Sequence, residues 1–195
     1  MVSLVRNVSP EEDVAEVIFK SAMRLLTGGV TVITAGRDSD ISGMTVTSFT
    51  SFAADPPSVV VSVNRDSSSL PLIQRYGAFG ANILAGDQAV VAERFTGLSS
   101  LKGAERFQHT SWSKLISGVP LLNDALAVFD CEVDHILERH SHALLIGRVL
   151  DLRISPNKNV GLAYWNGRYV SVDDKEEALH WADVSLPTSR ALWEA

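Results

Sequence analysis

The amino-acid sequence predicts a mainly β fold, an antiparallel sheet closed into a barrel with a few flanking helices. Short β-rich runs separated by turn-forming clusters fill most of the chain after Val30. Few long helices lie between these runs, which favours antiparallel pairing over a doubly wound parallel sheet. Closure into a barrel would remove exposed sheet edges. The length of 195 residues fits a single domain over 1–195.

A helix is the first predicted element. Ser9 as the N-cap, Pro10 at the first helical position and Glu12 at the third form a capping box. Gly28 and Gly29 end the helical pattern. Apolar residues recur at helical spacing, at Val14, Val17, Ile18, Leu25 and Leu26. We expect this helix to pack against the core as a lid.

The remaining elements are strands with two short helices between them. The predicted strands are 30–34, 45–52, 59–63, 79–84, 127–137 and 143–154. Turns are expected at 36–43, 55–57 and 156–159, and helices at 70–76 and 88–95. The segment 173–195 is a C-terminal tail with tryptophans on a polar background.

Charge and cysteine content exclude several classes of function. A net charge of -6, with 17 scattered Lys and Arg residues, argues against binding a nucleic acid backbone. No apolar run approaches the roughly 18 residues of a membrane span, and the N-terminus lacks the apolar stretch of a secretory signal. The single cysteine, Cys131, cannot form an internal disulfide, so a cytoplasmic location is expected. Cys131 is predicted to be a small buried hydrophobe rather than a catalytic thiol.

A hydroxyl-rich segment over 43–64 is the first candidate binding feature. The sequence lacks the glycine-rich dinucleotide turn, the P-loop, the nucleophile elbow and the zincin helix, so the chemistry must come from another kind of site. Threonine and serine side chains along a strand pair could donate hydrogen bonds to the carbonyls, ring nitrogens or hydroxyls of a ligand. Such residues also populate the outer face of ordinary strands.

Three consecutive serines, Ser67 to Ser69, precede the helix predicted over 70–76. Hydroxyls at a helix N-terminus, backed by Arg65, could hold a phosphate through free N–H groups and the helix dipole. Simple N-capping explains the same residues equally well.

Five sequence segments together resemble the short-chain flavin reductases, whose fold is the FMN-binding split β-barrel. The segments are FKSAMRLLTGGVTVIT at 19–34, the threonine–serine segment ending in Asp55, Pro56 and Pro57, FGANILAGDQAVVAERFTG at 79–97, HSHALLIGRV at 140–149 and YWNGRYVSV at 164–172. The resemblance covers about 19–172, and the order and spacing of the segments make it specific.

The resemblance implies a homodimer with flavin bound near the subunit interface and the nicotinamide stacked on the flavin ring. The implied activity is hydride transfer from NADH or NADPH to FMN or FAD, with delivery of reduced flavin to a partner monooxygenase. Because hydride would pass directly to the flavin, no catalytic side chain and no metal are expected. The alternative is a non-catalytic flavin or haem binder on the same barrel. A split-barrel oxidoreductase acting on a pyridoxine, deazaflavin or corrinoid is a further alternative.

The resemblance also assigns flavin-binding residues. Those expected along the ring and ribityl chain are Thr45, Val46, Thr47 and Ser48. Those expected nearer the phosphate are Asn64, Ser68 and Ser69. Ala81, Asn82 and Phe95 would complete the pocket. Asn82, which lies in an apolar run, is equally explained as a satisfied amide at a strand end.

The nicotinamide-binding residues implied by the resemblance are His142, Arg168 and Tyr169. His142 matches the histidine of a Gly-Asp-His motif, but His140 and Ser141 replace the glycine and the aspartate. His140 could therefore share the role of His142. A metal site at the two histidines is the weaker interpretation, because no further ligand cluster accompanies them. Trp165 is expected to be a core or dimer contact.

Overall fold

The computed structural model of the chain describes residues 16–173. In chain order the strands are β1 (Gly28–Gly29), β2 (Thr31–Arg37), β3 (Asp40–Val46), β4 (Thr50–Ala54), β5 (Pro57–Asn64), β6 (Ala78–Ile83), β7 (Trp112–Ser113), β8 (Leu121–Leu122), β9 (Ala127–Arg139), β10 (His142–Ile154), β11 (Gly161–Trp165) and β12 (Arg168–Val172). The helices are α1 (Glu16–Met23), α2 (Leu70–Tyr76) and α3 (Ala89–Arg94), and a 3₁₀ helix spans Gly103–Phe107.

A seven-stranded sheet in the order β3-β2-β6-β9-β10-β5-β4 forms the body of the molecule. A three-stranded sheet, β1-β11-β12, and a two-stranded ribbon, β7-β8, accompany it. The pairs in all three sheets are antiparallel. The predicted fold class, an antiparallel split β-barrel with a few flanking helices, is confirmed.

Strand β2 is buried along almost its whole length because a hydrophobic cluster lies on each of its faces. Val32 belongs to one cluster with Leu84 and Phe95, whereas the next residue, Ile33, belongs to another with Phe79. Successive side chains of a strand point to opposite faces, so a strand between two cores is buried on both faces.

Close packing requires a glycine at Gly147, in the middle of β10. A Cβ atom there would lie 2.6 Å from ring atoms of Phe79, which is fully buried. The register of β9 and β10 also shifts between Ile146 and Gly147. The glycine that follows His142 by five residues in the sequence therefore serves the core rather than a ligand.

Several predicted elements are confirmed. The helices expected over 70–76 and 88–95 are α2 and α3, and turns lie at 55–56 and 156–157 within the predicted clusters. Cys131 is fully buried in β9, and burial raises the pKa of its thiol to about 12, which leaves it inert.

The single strand predicted over 45–52 is wrong, because the chain leaves the sheet between β3 and β4. β3 ends at Val46 and β4 begins at Thr50. Between them the Ser48 hydroxyl donates to the Ser62 carbonyl at 2.9 Å and accepts from the Ser62 N–H at 3.2 Å. The Ser48 hydroxyl therefore binds the main-chain groups of Ser62 that a neighbouring strand would otherwise pair with. The hydroxyl-rich sequence does not reveal this exchange.

The turn predicted over 36–43 is too wide. Arg37 pairs with Asp40, so the connection between β2 and β3 is only two residues long. Gly36, which the sequence suggests is part of the turn, lies in β2 with a φ of 89°. A Cβ atom there would lie 1.9 Å from the Asp40 carbonyl oxygen, so the position needs glycine although it is inside a strand.

Helix α1 does not pack on the core as expected. None of its residues is buried, and the exposed fractions of Val17 and of Leu25, which follows the helix, are 75% and 66%. The predicted capping residues at 9–12 lie outside the described residues. The helical pattern does mark an apolar face, but the described part of the barrel does not cover it.

The hairpin of β11 and β12 stands beside the end of β3. Its turn, Asn166 and Gly167, has positive φ angles of 49° and 81°, as tight hairpin turns require. β11 pairs with β1, in which Gly28 lies opposite Tyr164. A Cβ atom on Gly28 would lie 2.8 Å from Cβ of Thr47, so the glycine allows the two segments to approach.

Candidate functional site

A cavity of about 760 Å³, here called cavity A, opens where β3 ends and where β5 meets the start of β10. Its volume is within the range of small-molecule sites, roughly 300–1,000 Å³. The predicted site residues that line it are Thr45, Val46, Thr47, Ser48, Asn64, Ser68, Phe95 and His142. The structure therefore brings together eight side chains from four separate parts of the sequence.

The β3 wall of cavity A is fixed against the end of α3. The N–H of Thr45 donates to the Phe95 carbonyl at 3.0 Å, and its Oγ1 donates to the Ala92 carbonyl at 2.6 Å. Gly43 allows the close approach, because a Cβ atom there would lie 2.8 Å from the Phe95 ring. The hydroxyl of Thr45 is thus already engaged, and its contribution to the cavity is shape and main chain.

The loop between β5 and α2 supplies the polar side of cavity A. The Asn64 Oδ1 accepts a hydrogen bond from the Asp66 N–H at 2.9 Å, which shapes the loop. The hydroxyls of Ser68 and Ser42 lie 2.7 Å apart, and Ser68 lines the cavity. Ser69, in contrast, is fully buried and donates to the Ser42 hydroxyl at 3.3 Å, so it does not reach the cavity.

Two cations that the sequence analysis missed, Lys102 and Arg106, also line cavity A. Arg106 is held in place, since its Nη1 donates to the Gly43 carbonyl and its Nε to the Leu101 carbonyl, both at 2.9 Å. Lys102 is the N-cap of the 3₁₀ helix that lies against β3, and Arg106 is in the last turn of that helix. The signal in the sequence was two basic residues four positions apart beside Gly103, in a segment without a recognisable period.

Arg65 does not back a phosphate site as expected. Its Nε lies 3.1 Å from Oε2 of Glu138, and its Nη1 donates to the His140 carbonyl at 3.0 Å. These residues line a separate small pocket of about 430 Å³, here called cavity C. The sequence places Arg65 next to the serines, but the loop turns its side chain towards the β9–β10 turn.

Ala81 and Asn82 lie in the core and not on cavity A. Both are fully buried in β6. The Asn82 Nδ2 donates to the Val32 carbonyl at 2.8 Å, and its Oδ1 accepts from the Leu122 N–H at 2.7 Å. Asn82 is therefore the satisfied buried amide of the alternative interpretation, and it joins β6 to β2 and β8.

His142 is placed at the mouth of cavity A by the β9–β10 turn. It pairs across the strands with Asn64, and its Nδ1 lies 2.9 Å from the Ser141 hydroxyl. His140 lines cavity C instead, with a φ of 51°, so the two histidines serve different cavities. Within 16–173 no three His, Cys, Asp or Glu side chains are arranged to hold a metal ion.

Arg168 and Tyr169 line a neighbouring cavity of about 1040 Å³, here called cavity B. Cavity B shares the segment 45–47 with cavity A, so the two lie on either side of it. The rings of Tyr164 and Tyr169 meet edge to face at 5.5 Å, and burial raises the pKa of the Tyr169 hydroxyl. The Arg168 guanidinium lies 5.7 Å from the ring centre of Trp165, which is 36% exposed and so is not a core residue.

Among the helices of the described chain, none is both long enough and apolar enough to cross a membrane.

Residues 23–173 match the family described as flavin reductase like domain. FMN reductase (NADH) RutF of Agrobacterium fabrum is 31% identical over 172 residues, which are 87% of this chain and 97% of that protein. The 4-hydroxyphenylacetate 3-monooxygenase reductase component of Salmonella typhi is 29% identical over 160 residues, 82% of this chain and 94% of that protein.

Solved structures give the same result. BorF, the flavin reductase component of a bacterial two-component tryptophan halogenase, has a TM-score of 0.75 at 29% identity, over 83% of this chain and 100% of its own. The NADH:FAD oxidoreductase SgcE6 of Streptomyces globisporus, solved with NAD and FAD fragments, has a TM-score of 0.74 at 27% identity, over 86% and 97% of the two chains. The matched segment contains every residue that lines cavities A and B, and the chain belongs to the flavin reductase like domain family.

Proposed function

We propose that this chain is an NAD(P)H-dependent flavin reductase, which transfers hydride to FMN or FAD and supplies the reduced flavin to a partner monooxygenase. The observation that carries the proposal is cavity A, with its wall of Thr45 to Ser48 and the cations Lys102 and Arg106. RutF is named for FMN and NADH, and the SgcE6 structure contains NAD and FAD fragments.

The residues of cavity A fit a flavin by the chemistry of their donors. An isoalloxazine ring needs a flat apolar surface and hydrogen-bond donors at its carbonyl edge. Met44, Val46 and Phe95 supply apolar surface, and Thr47 and Ser48 lie where the chain has left the sheet. Main-chain N–H groups that are free of strand pairing can serve a ligand there, and they would also stabilise the negative charge of a reduced ring.

Lys102, Arg106 and Ser68 are the residues that would hold the flavin phosphate. A guanidinium fixed by the Gly43 and Leu101 carbonyls keeps its orientation without a ligand, so little side-chain entropy is lost on binding. Lys102 adds a second positive charge to the lining of cavity A. Lys102 and Arg106 take the phosphate-binding role that was expected of Arg65, because Arg65 forms an ion pair with Glu138 instead.

His142 is the residue that would orient the nicotinamide at the mouth of cavity A. The cofactors supply the chemistry when bound, since the nicotinamide gives a hydride and the flavin accepts it. The chain supplies position, because holding the two reactants in contact contributes to the rate without any side-chain nucleophile. Arg168 and Tyr169 line cavity B, which shares the segment 45–47 with cavity A and has room for the rest of the dinucleotide.

The active form is a homodimer in this proposal, with a second copy of the chain covering α1 and the turn that follows it. The apolar side chains of this segment are exposed at Val17, Ile18, Phe19, Leu25 and Leu26. Large apolar side chains exposed to this extent often mark a protein–protein contact. Light scattering should give twice the chain mass of 21.1 kDa. Leu25→Asp, in the turn after α1, should produce monomers, whereas Lys20→Asp, within α1 beside Glu16, should not.

Delivery to a monooxygenase follows from the same family relationship. One relative is itself named as the reductase component of such an enzyme. A cytoplasmic location accords with the single buried cysteine and with the supply of nicotinamide cofactors there.

Steady-state kinetics test the activity directly. Purified protein freed of flavin is assayed with NADH and NADPH, each in the presence of riboflavin, FMN or FAD. Donor oxidation that requires added flavin supports the proposal, and the two sets of kcat/KM values identify the preferred pair. Flavin binding without donor oxidation would instead indicate a non-catalytic binder.

A further inference from the structure

We propose that Arg65 and Ser141 are positioning residues that hold His142 over cavity A. The inference rests on the proposed role of His142 towards the nicotinamide. Neither residue is proposed to touch the cofactors. Both line cavity C, next to the β9–β10 turn that carries His142.

Arg65 joins three parts of the fold around the β9–β10 turn. Its main-chain N–H donates to the Ser141 carbonyl at 3.0 Å, and its Nη1 donates to the His140 carbonyl at 3.0 Å. Its Nε lies 3.1 Å from Oε2 of Glu138, whose other oxygen accepts from Gln74 of α2 at 3.1 Å. One side chain therefore ties β9, the turn and α2 to the loop after β5.

The turn needs such support because its backbone is not relaxed. His140 has a φ of 51°, a left-handed conformation that favours glycine and that an L side chain adopts at a cost. The Arg65 side chain binds the carbonyl of one turn residue, His140, and the Arg65 main-chain N–H binds the carbonyl of the other, Ser141. A contact on both carbonyls fixes the turn, and His142 follows immediately as the first residue of β10.

Ser141 then fixes the imidazole ring itself. Its hydroxyl lies 2.9 Å from Nδ1 of His142, so the hydrogen bond restrains the ring about its side-chain torsions. With Nδ1 engaged, Nε2 is the nitrogen left for a ligand in cavity A. The ring is on the surface and has room to turn, so without this bond it would lose its orientation.

The chain offers a matched control for Arg65. Arg148 of β10 and Glu132 of β9 form a second arginine–glutamate pair, with side chains 53% and 52% exposed, against 48% and 40% for Arg65 and Glu138. Arg148 and Glu132 do not line cavity A or cavity C. Exposed pairs of this kind contribute little to overall stability, so both arginine variants should fold.

The experiment compares Arg65→Met, Ser141→Ala, Ser141→Thr and Arg148→Met with the wild type in full-length holoenzyme. We expect Arg65→Met and Ser141→Ala to raise the donor KM about fivefold or more, with flavin affinity within about twofold. Ser141→Thr retains the hydroxyl and should restore the wild-type KM, and Arg148→Met should match the wild type. An unchanged donor KM in both Arg65→Met and Ser141→Ala overturns the proposal, as does an equal rise in Arg148→Met.

A spectroscopic readout separates this proposal from the reductase proposal. The ring signals of His142, assigned in histidine-labelled protein, should shift in Arg65→Met and Ser141→Ala but not in Arg148→Met. These shifts report ring orientation and hydrogen bonding whether or not the protein oxidises NADH. Ring signals of His142 that are identical in all variants would show that neither residue positions it, even if reductase activity is present.

Discussion

Asn64 and His142 are direct partners in the antiparallel pair of β5 and β10, the last residue of one strand opposite the first of the other. The loop that follows Asn64 carries Ser68 to cavity A, and the turn that precedes His142 carries the ring to its mouth. One strand pair therefore brings together the proposed phosphate side and the proposed nicotinamide side of the site.

Replacement of His142 by alanine should affect the donor and not the flavin. Loss of one positioning hydrogen bond costs about 1–3 kcal/mol, so kcat/KM for the nicotinamide donor should fall by about 5- to 150-fold. A flavin titration is the control and should give a nearly unchanged Kd. His140→Ala should keep wild-type kcat/KM, because the His140 side chain does not line cavity A and alanine retains the main-chain carbonyl that Arg65 binds. Wild-type kinetics in His142→Ala would show that His142 does not position the nicotinamide.

Replacement of Lys102 by methionine should weaken binding of FMN but not of riboflavin. The two ligands differ only in the phosphate, and a partly solvated charge contact should contribute about tenfold in affinity. Fluorescence titration with both ligands measures the difference. Lys114→Met is the matched control, since Lys114 pairs with Asp38 at 2.8 Å and does not line cavity A. Equal losses for FMN and riboflavin would contradict the phosphate assignment.

Replacement of Asn82 by alanine should reduce stability without acting on the flavin specifically. The change leaves the buried Leu122 N–H and Val32 carbonyl without their partner, at a cost of about 1–3 kcal/mol in the free energy of unfolding. Urea denaturation measures this loss. The Kd of the folded variant for FMN should remain within about twofold. A large rise in Kd with unchanged stability would instead support Asn82 as a flavin-binding residue.

At position 140, glycine should be more stable than alanine by about 1 kcal/mol, because the φ of 51° penalises any Cβ atom. Both variants lack the imidazole, so the difference between them reports only the effect of the Cβ atom. Arg139, in regular strand, is the control position, where glycine should be the less stable of the two. Chemical denaturation of the four variants gives both differences, and the same sign at both positions would be inconsistent with the left-handed turn.

The free energy of unfolding should fall at alkaline pH, because the Cys131 thiol ionises more readily in the unfolded state than in the folded state. Its pKa in the folded state is about 12, raised by burial from 9.0, so both states hold the proton below 9.0. Between these values only the unfolded state ionises, and the free energy of unfolding falls by up to about 1.4 kcal/mol per pH unit. Cys131→Ala should lack this part of the fall when denaturation is compared between neutral and alkaline pH. Parallel pH profiles for wild type and variant would show that Cys131 is not the source.

Local sequence patterns were sufficient for β2, β5, β6, β9 and β10. The resemblance supplied the residues 45–48, which line cavity A. The sequence was not sufficient for Ala81 and Asn82, because alternation along a strand does not say which face borders a ligand and which borders a second core. Arg65 was assigned by its neighbours in sequence, yet its side chain crosses to Glu138. Lys102 and Arg106 reach cavity A only because the 3₁₀ helix folds back on β3, a contact between distant segments that no local pattern encodes.

The most direct test of the central claim is a single turnover without oxygen. Flavin-loaded protein is mixed with an equimolar amount of NADH, and the oxidised flavin absorbance and the NADH absorbance are followed together. We expect both to disappear at the same rate and in equal amounts, with His142→Ala slower in the hydride step or weaker for NADH. Flavin that stays oxidised in the wild type, or NADH oxidation by protein free of flavin, would contradict the assignment of this chain as a flavin reductase.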